Sequence, residues 1–338
     1  MPSPLSPRRI RAAGLVLALG LVAAGCDHVT DFDGPNLIDR FGEFTLLDPL
    51  EASQPTVDFA AGDVVAFTAT FNKQVEWVLE LTGQRSGAIK RIEGFSTEVT
   101  ADNATWTGGT TELPLFKDEL VDVALIIPSE AAADTSRTTV EVLTPKSYPG
   151  SVVAAFEGND RITVGNFEFE FAPSSGISTE VPPGQGDGFY LLRGVDDVVR
   201  NFFVGLIDIR PPGVTGAGYF GVPTTVPEDL YFNMFLYSFN TPHTIIVVQL
   251  IADANGNGTF QDGQDTVFPY GDIVPDWEGW RAFSKPLSEI GLTATQASQI
   301  VAVRVLLISD SNSQPTPQIA AQYGIDYITF TAGGPLEL

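Results

Sequence analysis

Residues 253–265, with the sequence DANGNGTFQDGQD, carry oxygen-bearing side chains at the spacing of a calcium-binding loop. Carboxylate and amide side chains alternate, and Gly258 follows at the sixth position, where such loops make a sharp turn. The twelfth position normally holds a glutamate that contributes two oxygens, but here it is Gln264. The candidate metal ligands are Asp253, Asn255, Asn257, Asp262 and Asp265. With one carboxylate in register, the pattern predicts a calcium site of low affinity.

A β-hairpin would use the same residues for a different purpose. The Asn-Gly pairs at 255–256 and 257–258 supply positive φ angles, which tight turns need. The residues on both sides alternate as strands do, whereas the twelve-residue calcium loop joins two helices. The flanks therefore favour the hairpin, and a weak calcium site completed by Asp262 or Asp265 stays open.

The elements around this loop are predicted to be β-strands, because period-two alternation dominates the chain after residue 38. In the first half, strands are predicted at 64–71, 75–81, 88–94, 120–128 and 138–145. Turn residues recur about every ten positions, as is typical of a β-sandwich. We expect an immunoglobulin-like β-sandwich over residues 38–148, without an internal disulfide because Cys26 is the only cysteine.

The second half is predicted to be a jelly roll over residues 150–338. Its strands are predicted at 166–171, 188–194, 201–209, 229–239, 244–253, 299–310 and 323–331. The strand at 229–239 has apolar residues on both faces, so we expect it to be central and covered on each side. Only 286–291 and 293–300 have helical patterns, and both are short. About eight strands fit an all-β jelly roll, joined to the first sandwich by a linker near 144–151.

Several segments of the second half are similar to one family of jelly rolls. They are LYFNMFLYSFN, TIIVVQLIADANGNGTF, WEGWRAFSKPLSEIG, IVAVRVLLIS and GIDYITFTAGGPL. Together they resemble the galactose-binding-like jelly rolls that serve as carbohydrate-binding modules. An immunoglobulin-like domain before such a module resembles the surface glycan-binding lipoproteins of Bacteroidota-type polysaccharide-utilisation systems. The resemblance implies carbohydrate binding as an expectation, because a fold by itself does not define a function.

The same resemblance implies a second position for calcium. Related jelly rolls hold a structural calcium between the start of the domain and an acid on the last strand. Asp326 lies in the predicted last strand, and Glu157 near the domain start is its expected partner. Alternatively, Asp326 accepts hydrogen bonds from loop amides, because a carboxylate suits both roles.

A sugar-binding surface would need an exposed aromatic ring beside groups that hydrogen-bond hydroxyls. Trp277 lies in the loop sequence VPDWEG and is the predicted platform, with Tyr270, Asp272 and Arg281 as its expected neighbours. The alternative is that Trp277 plugs the end of the sandwich. Trp77 and Trp280 are expected in the core, because each lies in an apolar strand pattern.

The first residues have the pattern of a bacterial lipoprotein signal. Three arginines at positions 8, 9 and 11 precede the apolar stretch 12–25, which ends in LVAAGC. We expect residues 1–25 to be a signal peptide, Cys26 to be lipidated, and residues 26–37 to form the anchor and tether. The alternative is a secretory peptide with an incidental cysteine.

The charge of the chain excludes some partners. The formal net charge is −24, from 42 acidic and 18 basic side chains. Nucleic acid is not an expected partner, because phosphate binding needs a basic face. The acidity also opposes adsorption to anionic lipid, so membrane attachment would depend on the acyl anchor.

We therefore expect an outer-membrane lipoprotein, on the cell surface or the periplasmic face, that binds poly- or oligosaccharide without catalysis. The alternative is a structural lipoprotein that docks an outer-membrane transporter or another envelope protein. No enzyme is expected, since the sequence has two histidines and no nucleophile-elbow or phosphate-loop motif. A glycosidase that uses one of the chain's many acid pairs is the third hypothesis. Apart from calcium, no cofactor is expected.

Overall fold

The computed structural model describes residues 42–130, 136–157, 162–163, 175–194, 203–211, 217–241, 244–309 and 321–338. The predicted signal peptide, Cys26 and tether lie outside these ranges, as does the strand predicted at 166–171. Within them, no helix has both the length and the apolar character needed to cross a membrane.

The described residues confirm an all-β fold with several sheets. The strands are β1 Leu46–Ala52, β2 Thr56–Asp58, β3 Val65–Gly83, β4 Ile89–Val99, β5 Thr105–Trp106, β6 Leu120–Ile126, β7 Ser136–Thr144, β8 Ser151–Ala154, β9 Ile162–Thr163, β10 Gly176–Ser178, β11 Phe189–Arg193, β12 Phe203–Ile209, β13 Leu230–Phe239, β14 Thr244–Ala252, β15 Thr266–Ile273, β16 Glu278–Pro286, β17 Ile300–Ser309 and β18 Gln322–Ala332. A 3₁₀ turn spans Phe59–Ala61, and two short helices span Leu287–Ile290 and Ala294–Ala297, where short helices were predicted.

The first sheet has the strand order β1-β3-β6-β7-β2, and β4 and β5 also pair with β3. Strand β2 runs parallel to its neighbour β7, while the other pairs of this sheet are antiparallel. Strands 64–71 and 75–81 were predicted separately, but β3 is one strand of 19 residues. Its polar middle stays extended because Asn72 exchanges hydrogen bonds with Thr45, donating its N–H to the Thr45 carbonyl at 3.1 Å and accepting from the Thr45 N–H at 2.8 Å. The immunoglobulin-like assignment of this sheet stays a prediction.

The first core follows directly from the alternation along β3. Every second residue of that strand except Lys73 is buried on one face, and Trp77 is one of them. The indole of Trp77 donates to the Ser96 hydroxyl at 2.9 Å, so its polar N–H is satisfied inside the core. Trp106 is also buried, and its indole donates to the Gly109 carbonyl at 2.8 Å.

The second half contains two sheets that face each other across a large apolar core. The first is a six-stranded sheet of order β10-β11-β18-β13-β16, with β8 joined to β18. The second is a five-stranded sheet of order β15-β14-β17-β12-β9. Strand β13 lies between β18 and β16, and residues 232–236 are buried on both of its faces, as predicted.

Residues 44–338 form one compact unit, in which the loop between β5 and β6 and the linker pack on the outer face of the six-stranded sheet. Leu115 from the first sandwich meets Phe235 of β13 and Tyr327 of β18 in a separate apolar cluster. The linker contributes Tyr148, whose ring lies 6.4 Å from that of Tyr327. Lys146 of the linker donates to the Glu337 carbonyl at 3.1 Å. We call this contact region the seam.

Gly94 offers a test of the first core. It lies directly opposite Trp77 in the β3–β4 ladder, and a methyl group there would overlap the indole ring. We expect Gly94→Ala to lower the free energy of unfolding by about 1–3 kcal/mol, because overpacking strains a dense core. The matched control is Gly221→Ala, where nothing lies within 4 Å. Urea denaturation of both variants checks this, and an unchanged midpoint for Gly94→Ala would contradict the packing described.

Candidate functional site

The predicted aromatic platform at Trp277 is wrong, because the indole is buried. Trp277 is 7 % exposed, and its ring packs against Phe283 at 5.4 Å and Tyr323 at 6.2 Å between centroids. Its indole N–H donates to the Gly279 carbonyl at 2.9 Å, and the Arg281 guanidinium covers the ring at 4.6 Å. Trp277 therefore plugs the end of the sandwich, which was the alternative interpretation.

The three expected neighbours do not form a surface cluster around that ring. Tyr270 is also buried in the core, where burial raises the pKa of its hydroxyl to about 12. The Lys285 ammonium lies 4.5 Å from the centre of the Tyr270 ring. Asp272 is exposed on the edge strand β15, and exposed Arg281 pairs with Asp276 at 3.4 Å. None of these residues offers an open ring next to hydrogen-bonding groups.

The DANGNG loop connects β14 to β15, which pair antiparallel up to Ala252 and Thr266. Asp253 is buried at its base and accepts hydrogen bonds from three loop amides and from the Tyr219 hydroxyl at 2.6–2.9 Å. Burial opposes ionisation of Asp253. The hydrogen bonds from Gly258, Asn255, Tyr219 and Gly256 outweigh it and hold the pKa of the carboxyl below its ordinary value.

Three of the other four predicted ligands bind the loop itself, and the fourth pairs with a residue of β17. Asn255 and Asn257 accept from amides two residues onward and donate their side-chain amides to Gln261. Asp265 accepts from two loop amides, and Asp262 pairs with Arg304 at 3.0 Å. These contacts support the hairpin interpretation. Within the described ranges, no three acidic, histidine or cysteine side chains converge as a metal-binding group would.

The second predicted calcium position brings two carboxylates to one loop. Asp326 is 0 % exposed, and its carboxylate accepts from the Gln185 amide at 2.8 Å and its neighbour's amide at 2.7 Å. Glu157 accepts from the Asp187 amide at 2.8 Å. Burial raises the pKa of Asp326 well above its ordinary value, and the nearby Glu157 charge raises it further. Among the described residues, no lysine or arginine pairs with either carboxylate.

The loop that donates to these carboxylates also carries a side-chain oxygen without a partner. The side-chain carbonyl Oε1 of Gln185 is buried and has no hydrogen-bond donor among the described residues. Gly186 closes the loop against Glu157 so tightly that a Cβ there would overlap the carboxylate. Carboxylate and amide oxygens are ligands that Ca²⁺ prefers, but the hydrogen bonds observed at Asp326 are those of the alternative interpretation, in which it accepts from backbone amides.

The outer face of the five-stranded sheet carries a row of polar side chains that crosses three strands. Gln249 of β14 lies directly opposite Arg304 of β17, and Arg304 lies opposite Asp208 of β12. We call Gln249, Arg304 and Asp208 the polar row. The neighbouring row is apolar, since Val247 faces Leu306 across the same strands.

Arg304 is the centre of the polar row. Its guanidinium binds both oxygens of Asp208 at 2.7 and 3.1 Å and reaches Asp262 of the hairpin at 3.0 Å. Burial alone would lower the pKa of Arg304, but the hydrogen bonds to Asp208 and Asp262 outweigh it and raise the pKa. A buried ion pair costs desolvation energy that an apolar pair would not, so its presence on a sheet face points to a role beyond packing.

Next to the row lies Phe260, which is half-buried in the hairpin loop. The guanidinium of Arg210 lies 4.4 Å from its ring centre and that of Arg304 lies 5.2 Å away. The Nε of Arg210 is buried and finds no acceptor among the described residues. Burial lowers the pKa of Arg210, and the charge of Arg304 lowers it further, against the attraction of Asp208. The surface thus combines a ring, an amide and an unpartnered donor.

The sequence itself carries a signal for the polar row, in the form of lone charges within apolar strands. Arg304 is the only charged residue in VAVRVLL, and Asp208 is the only one in VGLID before Ile209. A lone charge within an apolar strand has to be paired or functional, because burial of an isolated charge is expensive. Phe260 and Gln249 have no such signal, since their positions are ordinary for a loop and a strand.

No family model and no curated protein matches the chain. Among solved structures, it is similar to SGBP-B from a xyloglucan utilization locus of Bacteroides uniformis, with 13% identity over 84% of this chain and 73% of that chain and a TM-score of 0.35. It is also similar to a family 11 carbohydrate-binding module from Clostridium thermocellum in complex with a β-1,3-1,4-mixed-linked tetrasaccharide, with 12% identity over 56% and 99% and a TM-score of 0.35. A third is CBM27-1 of Caldicellulosiruptor saccharolyticus in complex with mannohexaose, with 10% identity over 56% and 100% and a TM-score of 0.32.

The hairpin interpretation makes a prediction for calcium. Asp253→Ala should lower the free energy of unfolding by about 1–3 kcal/mol, because buried donors lose their acceptor. The calcium-dependent part of the melting temperature should be the same in this variant and in the wild type. Thermal melts with millimolar calcium and with chelator measure both quantities. A calcium-dependent rise that Asp253→Ala removes would place the metal in the hairpin instead.

The ion pair of the polar row makes a second prediction. Asp208→Asn should cost about 3 kcal/mol of unfolding free energy, because it leaves Arg304 buried with its main counter-charge removed. Asp272→Asn, an exposed acid on the same sheet, is the matched control and should change it by less than about 0.5 kcal/mol. Urea denaturation at neutral pH measures both, and equal values would show that Asp208 contributes no more than a surface charge.

Proposed function

We propose that the protein binds poly- or oligosaccharide, without catalysis, on the outer face of the five-stranded sheet. The observation that carries the proposal is the polar row of Gln249, Arg304 and Asp208 beside the ring of Phe260. Sugars present hydroxyl groups that pair with amide, guanidinium and carboxylate groups, and C–H faces that pack on aromatic rings. Gln249 and the Phe260 ring are partly exposed and supply both kinds of contact, while Arg304 and Asp208, at 8 % and 2 % exposure, hold the row in place.

The unpartnered Nε of Arg210 supports the same proposal. A buried donor without an acceptor costs free energy, which a ligand hydroxyl would recover by accepting its hydrogen bond. The apolar row beside it, where Val247 faces Leu306, would cover the less polar side of a sugar ring. Nothing in this arrangement calls for bond cleavage: the carboxylate of Asp208 is already held by both donors of Arg304.

A second candidate function is docking of another envelope protein, such as an outer-membrane transporter. It is favoured by large apolar side chains that the first sandwich leaves exposed, with Phe95 at 62 %. These side chains are Leu47, Val64, Phe95, Leu120 and Leu143. If these side chains form one continuous patch, the patch has the character typical of a protein contact. Lipid attachment at Cys26 in the outer membrane, proposed from the signal pattern, would suit either function.

We also propose that Ca²⁺ is held by Asp326, Glu157 and Gln185, since their oxygens fit it. Bound there, calcium would supply positive charge beside the two acids and a partner for the buried Oε1 of Gln185. Its role would be structural, because the surrounding loop and strands are packed. The polar row lies on the other sheet.

Two substitutions test the glycan proposal without breaking the core. Gln249→Ala removes an amide from the polar row, and Phe260→Leu removes the aromatic face but keeps an apolar side chain on its neighbours. Each should weaken binding about tenfold, which equals about 1.4 kcal/mol. Affinity electrophoresis against plant, algal and microbial polysaccharides identifies a ligand, and titration calorimetry then gives the dissociation constants.

The matched control is Phe95→Ala, which removes an exposed ring from the other sandwich and should leave glycan affinity unchanged. Absence of wild-type binding to every polysaccharide would overturn the proposed function. Binding that both variants retain in full would keep the function but exclude this sheet face. Loss of a transporter contact in Phe95→Ala, with no glycan bound, would favour the second candidate.

A further inference from the structure

Arg210 directly follows β12, and its side chain lies beside the polar row. It comes two positions after Asp208, so the alternation of the chain places both side chains on the outer face of the five-stranded sheet. Its guanidinium lies 4.4 Å from the centre of the Phe260 ring. Within the ranges that the structure describes, this half-buried side chain makes no hydrogen bond and no ion pair. Arg210 is therefore a cation without an anion, in a chain that has 42 acidic side chains.

The two charges that act on Arg210 oppose each other. Asp208 raises the pKa of Arg210 by attraction, and Arg304 lowers it by repulsion. Asp208 is not an ion-pair partner of Arg210, since both of its carboxylate oxygens accept from Arg304. The positive charge on this face that no acid has taken is thus the charge of Arg210.

Phe260 gives this guanidinium a fixed support. Its ring packs against a buried apolar cluster that includes Ile251 and Ala302. The hairpin loop that carries the ring is bound to the neighbouring segment, where the Gly218 amide donates to the Gly258 carbonyl at 2.7 Å. Because the planar guanidinium already lies on a held ring, less side-chain entropy is lost when it binds a ligand.

A guanidinium in this position favours an anion over a neutral hydroxyl group. Its planar fork can donate two parallel hydrogen bonds to one oxyanion, and bonds between charged groups are about twice as strong as bonds between neutral ones. Sugars carry oxyanions in two forms, the carboxylate of a uronic acid and the sulfate of a sulfate ester. Both offer the same chemistry to Arg210.

We propose that Arg210 determines the specificity of this face, and that the glycan it selects carries an anionic group, a uronic-acid carboxylate or a sulfate ester. The inference rests on the proposed glycan function and deepens it. Arg210 would bind the anionic group, while Gln249 of the polar row would pair with hydroxyl groups of the same or a neighbouring sugar. Phe260 holds the guanidinium in the orientation that this binding needs.

Titration calorimetry on the purified protein can compare each anionic polysaccharide with its own neutral derivative. Polygalacturonate is paired with its carboxyl-reduced form, and a sulfated galactan with its desulfated form. We expect the wild type to bind at least one anionic form about tenfold more tightly than its neutral derivative, because a hydrogen bond to a charged group contributes that much or more. The pair that shows the difference identifies the anionic group. At physiological ionic strength, charges more than about 8 Å apart are largely screened, so the negative net charge of the chain opposes this binding little.

Two substitutions at Arg210 assign the selectivity. Arg210→Gln removes the charge and should lower affinity for the anionic form about tenfold, to the level of its neutral derivative. Arg210→Lys keeps the charge but loses the planar fork, so its affinity should lie between those of the wild type and Arg210→Gln. Arg137→Gln changes the net charge equally at an exposed position of the first sandwich and is the matched control, which should bind as the wild type does. The urea midpoint of Arg210→Gln should stay close to that of the wild type, because Arg210 has no polar partner to lose among the described residues.

Equal affinity of the wild type for the anionic and neutral forms, or weaker affinity for the anionic forms, would overturn the selectivity while leaving the glycan function in place. A preference for the anionic form that Arg210→Gln retains would assign it to another residue and reject the role of Arg210. A loss that Arg137→Gln shares would show an effect of net charge and reject it too. Absence of binding to every polysaccharide, neutral and anionic, would overturn both this inference and the proposed function.

Discussion

Strand β13 must be covered on both faces, and this constraint organises the second half of the molecule. One face, with Leu236, meets the core between the two sheets, and the other, with Phe235, meets the seam. A strand with apolar side chains on both faces is not stable at a surface, because one apolar face would contact water. The first sandwich, the linker and the C-terminal residues supply the second cover. The outer face of the five-stranded sheet is not part of the seam. This face carries the polar row.

Most strands could be predicted from alternation, because apolar and polar residues alternate along a half-buried strand. Strand β15 could not, since Pro269 and Gly271 interrupt its pattern. The structure places β15 at the edge of its sheet, where a missing N–H is tolerated. The join of two predicted strands into β3 escaped prediction for another reason. Its polar middle is stabilised by Thr45, a residue whose position only the fold reveals.

The candidate site was harder to predict than the fold. A tryptophan in a polar loop is ambiguous in sequence, because a loop ring can stand in water or close the end of a core, as Trp277 does. The Asn-Gly spacing was equally ambiguous, and the amides of its own loop turned out to use its oxygens. The lone charges of Arg304 and Asp208 were visible, but their alignment depends on the register of three strands. Gln185 gave no signal, since Asp326, which accepts its backbone N–H, lies 141 positions away.

The packed linker has a practical consequence for anyone who rebuilds this chain. Stretches rich in proline and glycine between two folded parts are the usual choice for inserting a tag, a reporter or a longer connector. Here the ring of Tyr148 packs near that of Tyr327, and the Lys146 ammonium donates a hydrogen bond to the Glu337 carbonyl at 3.1 Å. Residues inserted at that point would disrupt the seam, which buries aromatic side chains.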